Sequence, residues 1–272
     1  MSNGRLTFIG LGLYDEKDIS LKGFEEIKNC DKVYAEFYTA TLVGIDIDKI
    51  EKTISKPVEV LSRDETEKGD KILKSAKDKN VVFLTCGDPM TATTHVDLRL
   101  RAIKLGIKTN IIHGSSIVTA VPGLLGLQNY KFGRTTTLAY PEKDYFPTSP
   151  YNIIKENKEM GLHTLVLLDI QADKDRYMTA NEGMDLLLKM EEKHRGKLFN
   201  KDSIICVVAS AGSAEPIAVA GSIKDMVDRD FGPPLHTIVV PGKLHFMEIE
   251  ALKILAQLPA QQGELLLLKS NH

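Results

Sequence analysis

Two glycine turns are the first residues in this chain that could serve chemistry. Leu6-Thr7-Phe8-Ile9 reads as a short buried strand and runs straight into Gly10-Leu11-Gly12-Leu13; Val81-Val82-Phe83-Leu84-Thr85 does the same into Cys86-Gly87-Asp88-Pro89. A strand that stops on glycines at the edge of a parallel sheet leaves backbone bare of Cβ atoms, so a small molecule can lie against it. His113-Gly114-Ser115-Ser116-Ile117 ends a third strand and opens a helix. If the three strands are parallel, their loops converge on the edge where α/β sheets bind ligands. The chemistry expected there is cofactor binding by backbone groups, assisted by the Asp88 carboxylate. Each residue also has a local reading. Asp88 can close an Asx turn, Thr93 or Thr94 can cap a helix, and the two serines can do likewise.

Several other chemistries are excluded. The third glycine of a dinucleotide G-x-G-x-x-G would fall on Asp15, so a pyrophosphate seat is not supported. G-x-x-x-x-G-K-[ST] and G-x-S-x-G are both absent, which removes a P-loop and a nucleophile elbow. The seven histidines are scattered without H-E-x-x-H, so no metal site is expected. His236 and His245, flanking the last strong strand and its loop, read as buried, hydrogen-bonded core histidines. No side chain is compelled as a general base, and no catalytic residue is named.

The elements that must hold these turns alternate in the first half. After the first turn, Asp18 or Ser20 caps a helix running to about Cys30. Strands follow at Lys32–Ala35, Val58–Leu61, Val81–Thr85 and Thr109–Ile112, with helices at Ile45–Ile54, Glu65–Lys77 and Thr93–Leu105, the last closed by Gly106. Repeated βα units imply a mostly parallel sheet with right-handed crossovers. The second half reads as strands at Arg134–Ala139, Thr164–Leu168, Ser203–Ala209 and His236–Val240, a hairpin return at Pro216–Ala220, and one clear amphipathic helix at Asn181–Lys193. Fewer helices and a hairpin point to a mixed sheet. The expected architecture is therefore α/β with two domains, residues 1–113 and 114–272, joined through Ser115–Gly133, with a tail after Leu258 expected to fray.

The bulk numbers agree with a folded globular chain. It has 272 residues, 43% hydrophobic and 26% charged, with a formal net charge of -2. That balance argues against nucleic-acid binding through a basic surface. Cys30, Cys86 and Cys206 form no C-x-x-C pair, so neither a disulfide framework nor a cysteine zinc site is indicated. The polar Met1-Ser2-Asn3-Gly4-Arg5 start is not a signal peptide, and no apolar run approaches the roughly 20 residues of a membrane span. The expected location is the cytoplasm.

Taken together the segments carry a resemblance. Ile9-Gly10-Leu11-Gly12-Leu13 with Asp18-Ile19-Ser20-Leu21-Lys22-Gly23 resembles the opening of the tetrapyrrole-methylase superfamily of S-adenosylmethionine enzymes. Gly87-Asp88-Pro89 with Ala92-Thr93-Thr94-His95, Tyr130-Lys131-Phe132-Gly133, Gly161-Leu162-His163-Thr164-Leu165, Leu168-Asp169-Ile170, Tyr177–Glu182 and Pro241-Gly242-Lys243-Leu244-His245 are more narrowly similar to its diphthine synthases. The match runs from about Leu6 to about Leu258.

The resemblance implies two α/β domains with S-adenosylmethionine in a cleft between them, and a homodimer. It also implies methylation of the amino group of a modified histidine on translation elongation factor 2, in diphthamide biosynthesis. Three methyl groups on the nitrogen, or a fourth on the carboxylate, both occur in the family. The family's cofactor contacts fall on Leu13, Asp88, Thr91, Ser116, Ile117, Leu168, Ala211 and His236. Two departures stand out: Ser210 replaces a frequent arginine, and Pro122 interrupts a stretch usually free of proline. The alternatives within the same fold are methylation of a tetrapyrrole or of ribosomal RNA. A non-catalytic adenine-nucleotide sensor is the alternative from another class. The near-neutral charge weighs against RNA, and Tyr177–Glu182 favours the diphthine branch.

Overall fold

The computed structural model describes residues 4–38, 40, 47–142 and 145–270. The chain divides into two compact units, Met1–Ile117 with Gln171–Asp175, and Val118–Ile170 with Arg176–His272.

The first unit is built on strands β1 (Arg5–Gly10), β2 (Lys32–Glu36), β3 (Val58–Val60), β4 (Asn80–Thr85) and β5 (Lys108–Ile112). They form one sheet in the order β3-β2-β4-β1-β5, and every pairing is parallel. Both faces are apolar, as a covered parallel sheet requires. Leu6, Phe8, Val81 and Phe83 face one cluster, while Ile9, Val82 and Leu84 face the other. Helices α1 (Leu21–Asn29) and α2 (Ile47–Ile54) contribute Ile27, Ile50 and Ile54 to the second cluster. Helices α3 (Arg63–Lys68), α4 (Asp70–Ala76) and α5 (His95–Lys104) lie between β3 and β5 in the chain. Of these, α4 and α5 bring Ile72, Leu73, Leu98 and Ala102 to the first cluster. Residues 45 and 46, expected at the start of α2, lie outside the described residues.

One expected helix is two. Glu65–Lys77 is interrupted at Gly69, whose φ of 65° is left-handed, so α3 ends there and α4 starts anew. The capping box of Ser62 and Glu65 starts α3 earlier than the periodicity suggests. Ser20, not Asp18, caps α1, its hydroxyl accepting from Gly23 N.

Helix α6 (Ile117–Leu125) occupies about half of the expected joining segment and stays helical across Pro122. The second unit then runs β6 (Thr136–Leu138), α7 (Ser149–Glu159), β7 (Thr164–Leu168), β8 (Ile170–Gln171), β9 (Arg176–Tyr177), α8 (Ala180–His194), β10 (Ile204–Ala209), β11 (Ile217–Ser222), α9 (Ile223–Met226), β12 (His236–Val240), α10 (Phe246–Leu255) and α11 (Ala260–Ser270). Its main sheet has the order β11-β10-β12-β7-β6. Only β6 and β7 are parallel, and β10 with β11 is the expected hairpin. Helix α8 packs Met184, Leu187 and Met190 into the core with Val166, Val207 and Ile238.

The expectation of fewer helices here than in the first half is corrected. Helix α7 buries only Pro150, Tyr151, Ile154 and Asn157, too narrow a stripe to stand out by periodicity. After Leu258 the described tail forms helix α11, Ala260–Ser270. Helix α11 is tied down by Gln262, which accepts from Ser222 N at 3.1 Å and donates to Asp225 Oδ2 at 2.7 Å. The strand expected over Arg134–Ala139 shortens to Thr136–Leu138. Among the described residues no helix is long and apolar enough to cross a membrane.

Candidate active site

In the first unit β1 lies between β4 and β5, so the three loops singled out in the sequence leave neighbouring parallel strands at one edge. Their backbones lock together. Gly87 N donates to Gly12 O at 2.7 Å, Gly12 N returns to Gly87 O at 3.3 Å, and Leu11 N donates to Thr85 O at 2.8 Å. A Cβ on Gly10 would stand 2.4 Å from the Gly87 carbonyl oxygen, and one on Gly114 would stand 2.5 Å from it. These two glycines are required by close packing. Gly87 differs: its φ is 67°, yet a Cβ there would have Ser115 O at 4.0 Å as its nearest neighbour. Its outward side is bare backbone facing open space, the cradle that a planar ligand needs.

Asp88 borders that cradle and is 8% exposed. Its Oδ1 accepts from Met90 N at 2.9 Å and the Thr91 hydroxyl at 3.4 Å, while Oδ2 lies 2.7 Å from His113 Nδ1. The Asx-turn reading is therefore correct as far as it goes; the carboxylate also fixes His113. Thr91 N donates to Asp88 O at 3.2 Å, which brings Thr91 to the same turn. The Leu13 and Tyr14 amides both donate to Asp18 Oδ2, at 3.0 and 2.7 Å, so Asp18 shapes the first turn instead of capping a helix. Ser116 is buried and Ile117 half-buried where α6 starts. Leu13, Asp88, Thr91, Ser116 and Ile117 thus share one sheet edge.

His95 anchors the second turn. Its Nδ1 lies 3.0 Å from Pro89 O, its ring packs edge-on against Phe83 at 5.0 Å, and Nε2 stands 3.6 Å from Glu36 Oε1. The Thr93 hydroxyl donates to the same Pro89 carbonyl at 3.0 Å and accepts from His95 N, the first amide of α5, at 3.5 Å, so it ties the loop down and reaches the helix start, where Thr94 makes no side-chain cap. Burial pushes the His95 pKa down, which keeps the imidazole neutral with its proton on Nδ1, facing an acceptor. Burial also pushes the Cys86 thiol well up, so it is no thiolate nucleophile. Among the described residues no group of His, Cys, Asp and Glu is arranged to hold a metal ion.

In the second unit the antiparallel pairings bring strand ends together in the same way. Ala209 pairs with His236 and Thr237 with Leu167, so Leu168, Ala211 and His236 lie at one edge of that sheet. His236 is buried as expected: Nδ1 accepts from Ala180 N at 3.1 Å, and Nε2 faces Gly232 O at 3.1 Å. Both ring nitrogens are spent inside the chain, so a ligand meets the ring face or the backbone at this position. His245 corrects the expectation of a core histidine: it is exposed and caps α10, accepting from Met247 N at 3.3 Å. Ser210, the departure from the family pattern, sits in a tight turn with φ 49°.

The sequence reading missed two arrangements. His163 and Glu248, both buried, face each other at 3.0 Å, and Lys131 joins the same carboxylate. The three motif segments around Lys131, His163 and Pro241–His245 thus meet in one polar knot. The Arg176 guanidinium carbon stands over the Tyr140 ring, 3.5 Å from its centroid. No local pattern reveals either contact, because the partners are far apart in sequence.

The sequence profile of the Tetrapyrrole (Corrin/Porphyrin) Methylases matches residues 5–226. A diphthine synthase of Methanococcus maripaludis strain C7 is 53% identical over 251 residues, 92% of this chain and 98% of the relative. One from Methanocaldococcus jannaschii is 54% identical over 255 residues, 93% and 99% of the two chains. A crystal structure of a diphthine synthase superposes with a TM-score of 0.87 at 40% identity, covering 96% of this chain and 99% of that one. The chain belongs to the tetrapyrrole methylase family and, within it, to the diphthine synthases, S-adenosylmethionine-dependent methyltransferases of diphthamide biosynthesis.

Proposed function

We propose that this chain transfers methyl groups from S-adenosylmethionine to the amino group of the modified histidine of translation elongation factor 2, acting as a cytoplasmic homodimer. The observation that carries the cofactor assignment is the Gly87 cradle, open where Gly10 and Gly114 are closed, beside a carboxylate. Leu13, Asp88, Thr91, Ser116 and Ile117 of the first unit, with Leu168, Ala211 and His236 of the second, are the residues proposed to hold the cofactor.

S-adenosylmethionine supplies a methyl group already activated by a positive sulfur, so the protein's task is positioning. The locked turns at Gly12 and Gly87 present fixed backbone. Asp88 offers a negative oxygen already oriented by Met90 N and His113. His95 and Thr93 hold Pro89, and with it the loop, at a set distance from the sheet. The acceptor must arrive as a free amine, and a desolvated site that disfavours the ammonium form promotes this.

Incubation with methyl-labelled S-adenosylmethionine, in turn with elongation factor 2 carrying the precursor histidine, a tetrapyrrole and ribosomal RNA, tests the reading. Label in elongation factor 2 alone is expected. Label in either of the others, or cofactor binding with no acceptor labelled, contradicts it.

A further inference from the structure

Arg176 is the feature that the cofactor assignment leaves unused. It stands on β9, just past the β7 end that carries Leu168. Asp169, the residue after Leu168, ties this corner together: its Oδ2 accepts from Tyr140 N at 3.0 Å and its carbonyl from Met178 N at 3.0 Å. Tyr140 is 6% exposed, and its ring forms a floor on which the Arg176 guanidinium lies. The nearby carboxylate is already committed. Glu182 Oε2 accepts from Thr179 N at 2.9 Å, from the Thr179 hydroxyl at 3.2 Å and from the Tyr140 hydroxyl at 3.3 Å, closing the capping box of α8. Arg5, Arg63, Arg101 and Arg134 each pair with an acidic side chain; among the described residues Arg176 does not.

An exposed arginine without a carboxylate, held 3.5 Å over the centroid of a buried aromatic ring, is a fork whose position is set before anything binds. Such a fork fits a planar oxyanion and holds it through two parallel N–H···O bonds. Its place beside Leu168 puts it at the edge proposed to carry the methyl transfer. Two carboxylates could reach such a site: that of the cofactor's amino-acid end and that of the acceptor.

We propose that Arg176, laid over Tyr140, is a specificity-determining residue that binds the acceptor's carboxylate. This rests on the function proposed above, whose acceptor bears an amine and a carboxylate. Holding the carboxylate orients the neighbouring amine. It also neutralises a negative charge that would otherwise favour the ammonium form, so the nitrogen reaches the site as a nucleophile.

The test compares Arg176→Met and Arg176→Lys with the wild type in the full chain. Three quantities are measured: the KM for elongation factor 2 carrying the precursor histidine, the Kd for S-adenosylhomocysteine by calorimetry, and the melting temperature. Loss of a charge-assisted pair corresponds to about 10- to 100-fold. For Arg176→Met, KM is expected to rise by that factor while cofactor Kd and melting temperature hold. Arg176→Lys, which keeps the charge without the fork, falls between. Weaker cofactor binding with unchanged KM would assign the fork to the cofactor's carboxylate and overturn the proposal. Unchanged KM and Kd, or a joint rise of KM and Kd with a fall in melting temperature, would overturn it as well. If the wild type binds cofactor yet never methylates elongation factor 2, the underlying function fails, and this proposal with it; that failure is recognisable because it appears before any substitution.

Discussion

A methyl group added at Gly87 separates the site from the fold. Gly87→Ala meets no atom of the protein closer than Ser115 O at 4.0 Å, so its cost to folding is that of a left-handed alanine at φ 67°. That is about 1–2 kcal/mol, or a drop of about 2–8 °C in melting temperature for a chain of this size. The same methyl occupies the space proposed for the ligand. Overpacking typically costs about 1–3 kcal/mol, so the affinity for S-adenosylhomocysteine is expected to fall by about 5- to 150-fold. Gly106→Ala is the matched control: its φ is 74°, nothing lies within 4 Å of the added Cβ, and it sits beyond α5, away from the turns. It should lose the same stability and no affinity. Gly10→Ala is the opposite control, because its Cβ would meet Gly87 O at 2.4 Å and Gly114 N at 2.6 Å, both backbone atoms. It should fail to fold stably. Calorimetry and thermal denaturation on the three variants decide the matter. Equal cofactor affinity in Gly87→Ala and Gly106→Ala would refute the cradle.

The other expectations concern charge and pH. Asp88→Asn keeps an acceptor for Met90 N while removing the charge and the oxygen that faces His113, so cofactor affinity should fall by about 1.5–3 kcal/mol with the fold kept; lower stability with unchanged affinity would assign Asp88 to its turn alone. Burial pushes the Glu248 carboxyl up, but the bonds from His163, His245 N, Lys131 and Gln128 N outweigh it and hold its pKa at about 2. A depressed carboxyl stabilises the fold above its unfolded pKa of 4.5 and loses that contribution as pH falls towards 2, here about 3 kcal/mol. Urea unfolding at pH 6 and pH 3 should show this loss, and Glu248→Gln should lack it. Burial pushes both His95 and His236 down, so the unfolded chain takes up protons first below about pH 6.5 and stability falls there; His95→Gln should flatten part of that slope. Calorimetry should also find S-adenosylmethionine bound and a nicotinamide dinucleotide not, since Asp15 stands where a dinucleotide site needs glycine.

How much was legible in the chain follows from the range of the forces involved. Strands β1 and β4 are near-continuous apolar runs that lead into glycine turns, and local pattern shows both. The convergence of three loops follows from parallel topology alone. The break at Gly69 was hidden because α3 and α4 together mimic one polar helix. The α11 tail escaped because what fixes it is Gln262 reaching Ser222 and Asp225, not a pattern within the helix. Leu168, Ala211 and His236 came from resemblance, since only the antiparallel register places them at one edge. Arg176 over Tyr140 and Glu248 against His163 join residues tens of positions apart, which spacing cannot reveal.

Where the methyl group goes decides the proposed function most directly. Elongation factor 2 carrying the precursor histidine, incubated with the protein and S-adenosylmethionine, can be digested and read by tandem mass spectrometry. The added methyl groups are expected on the amino nitrogen of that modified histidine. An unmodified histidine under conditions where calorimetry shows the cofactor bound, or methyl groups at any other residue, would contradict the account.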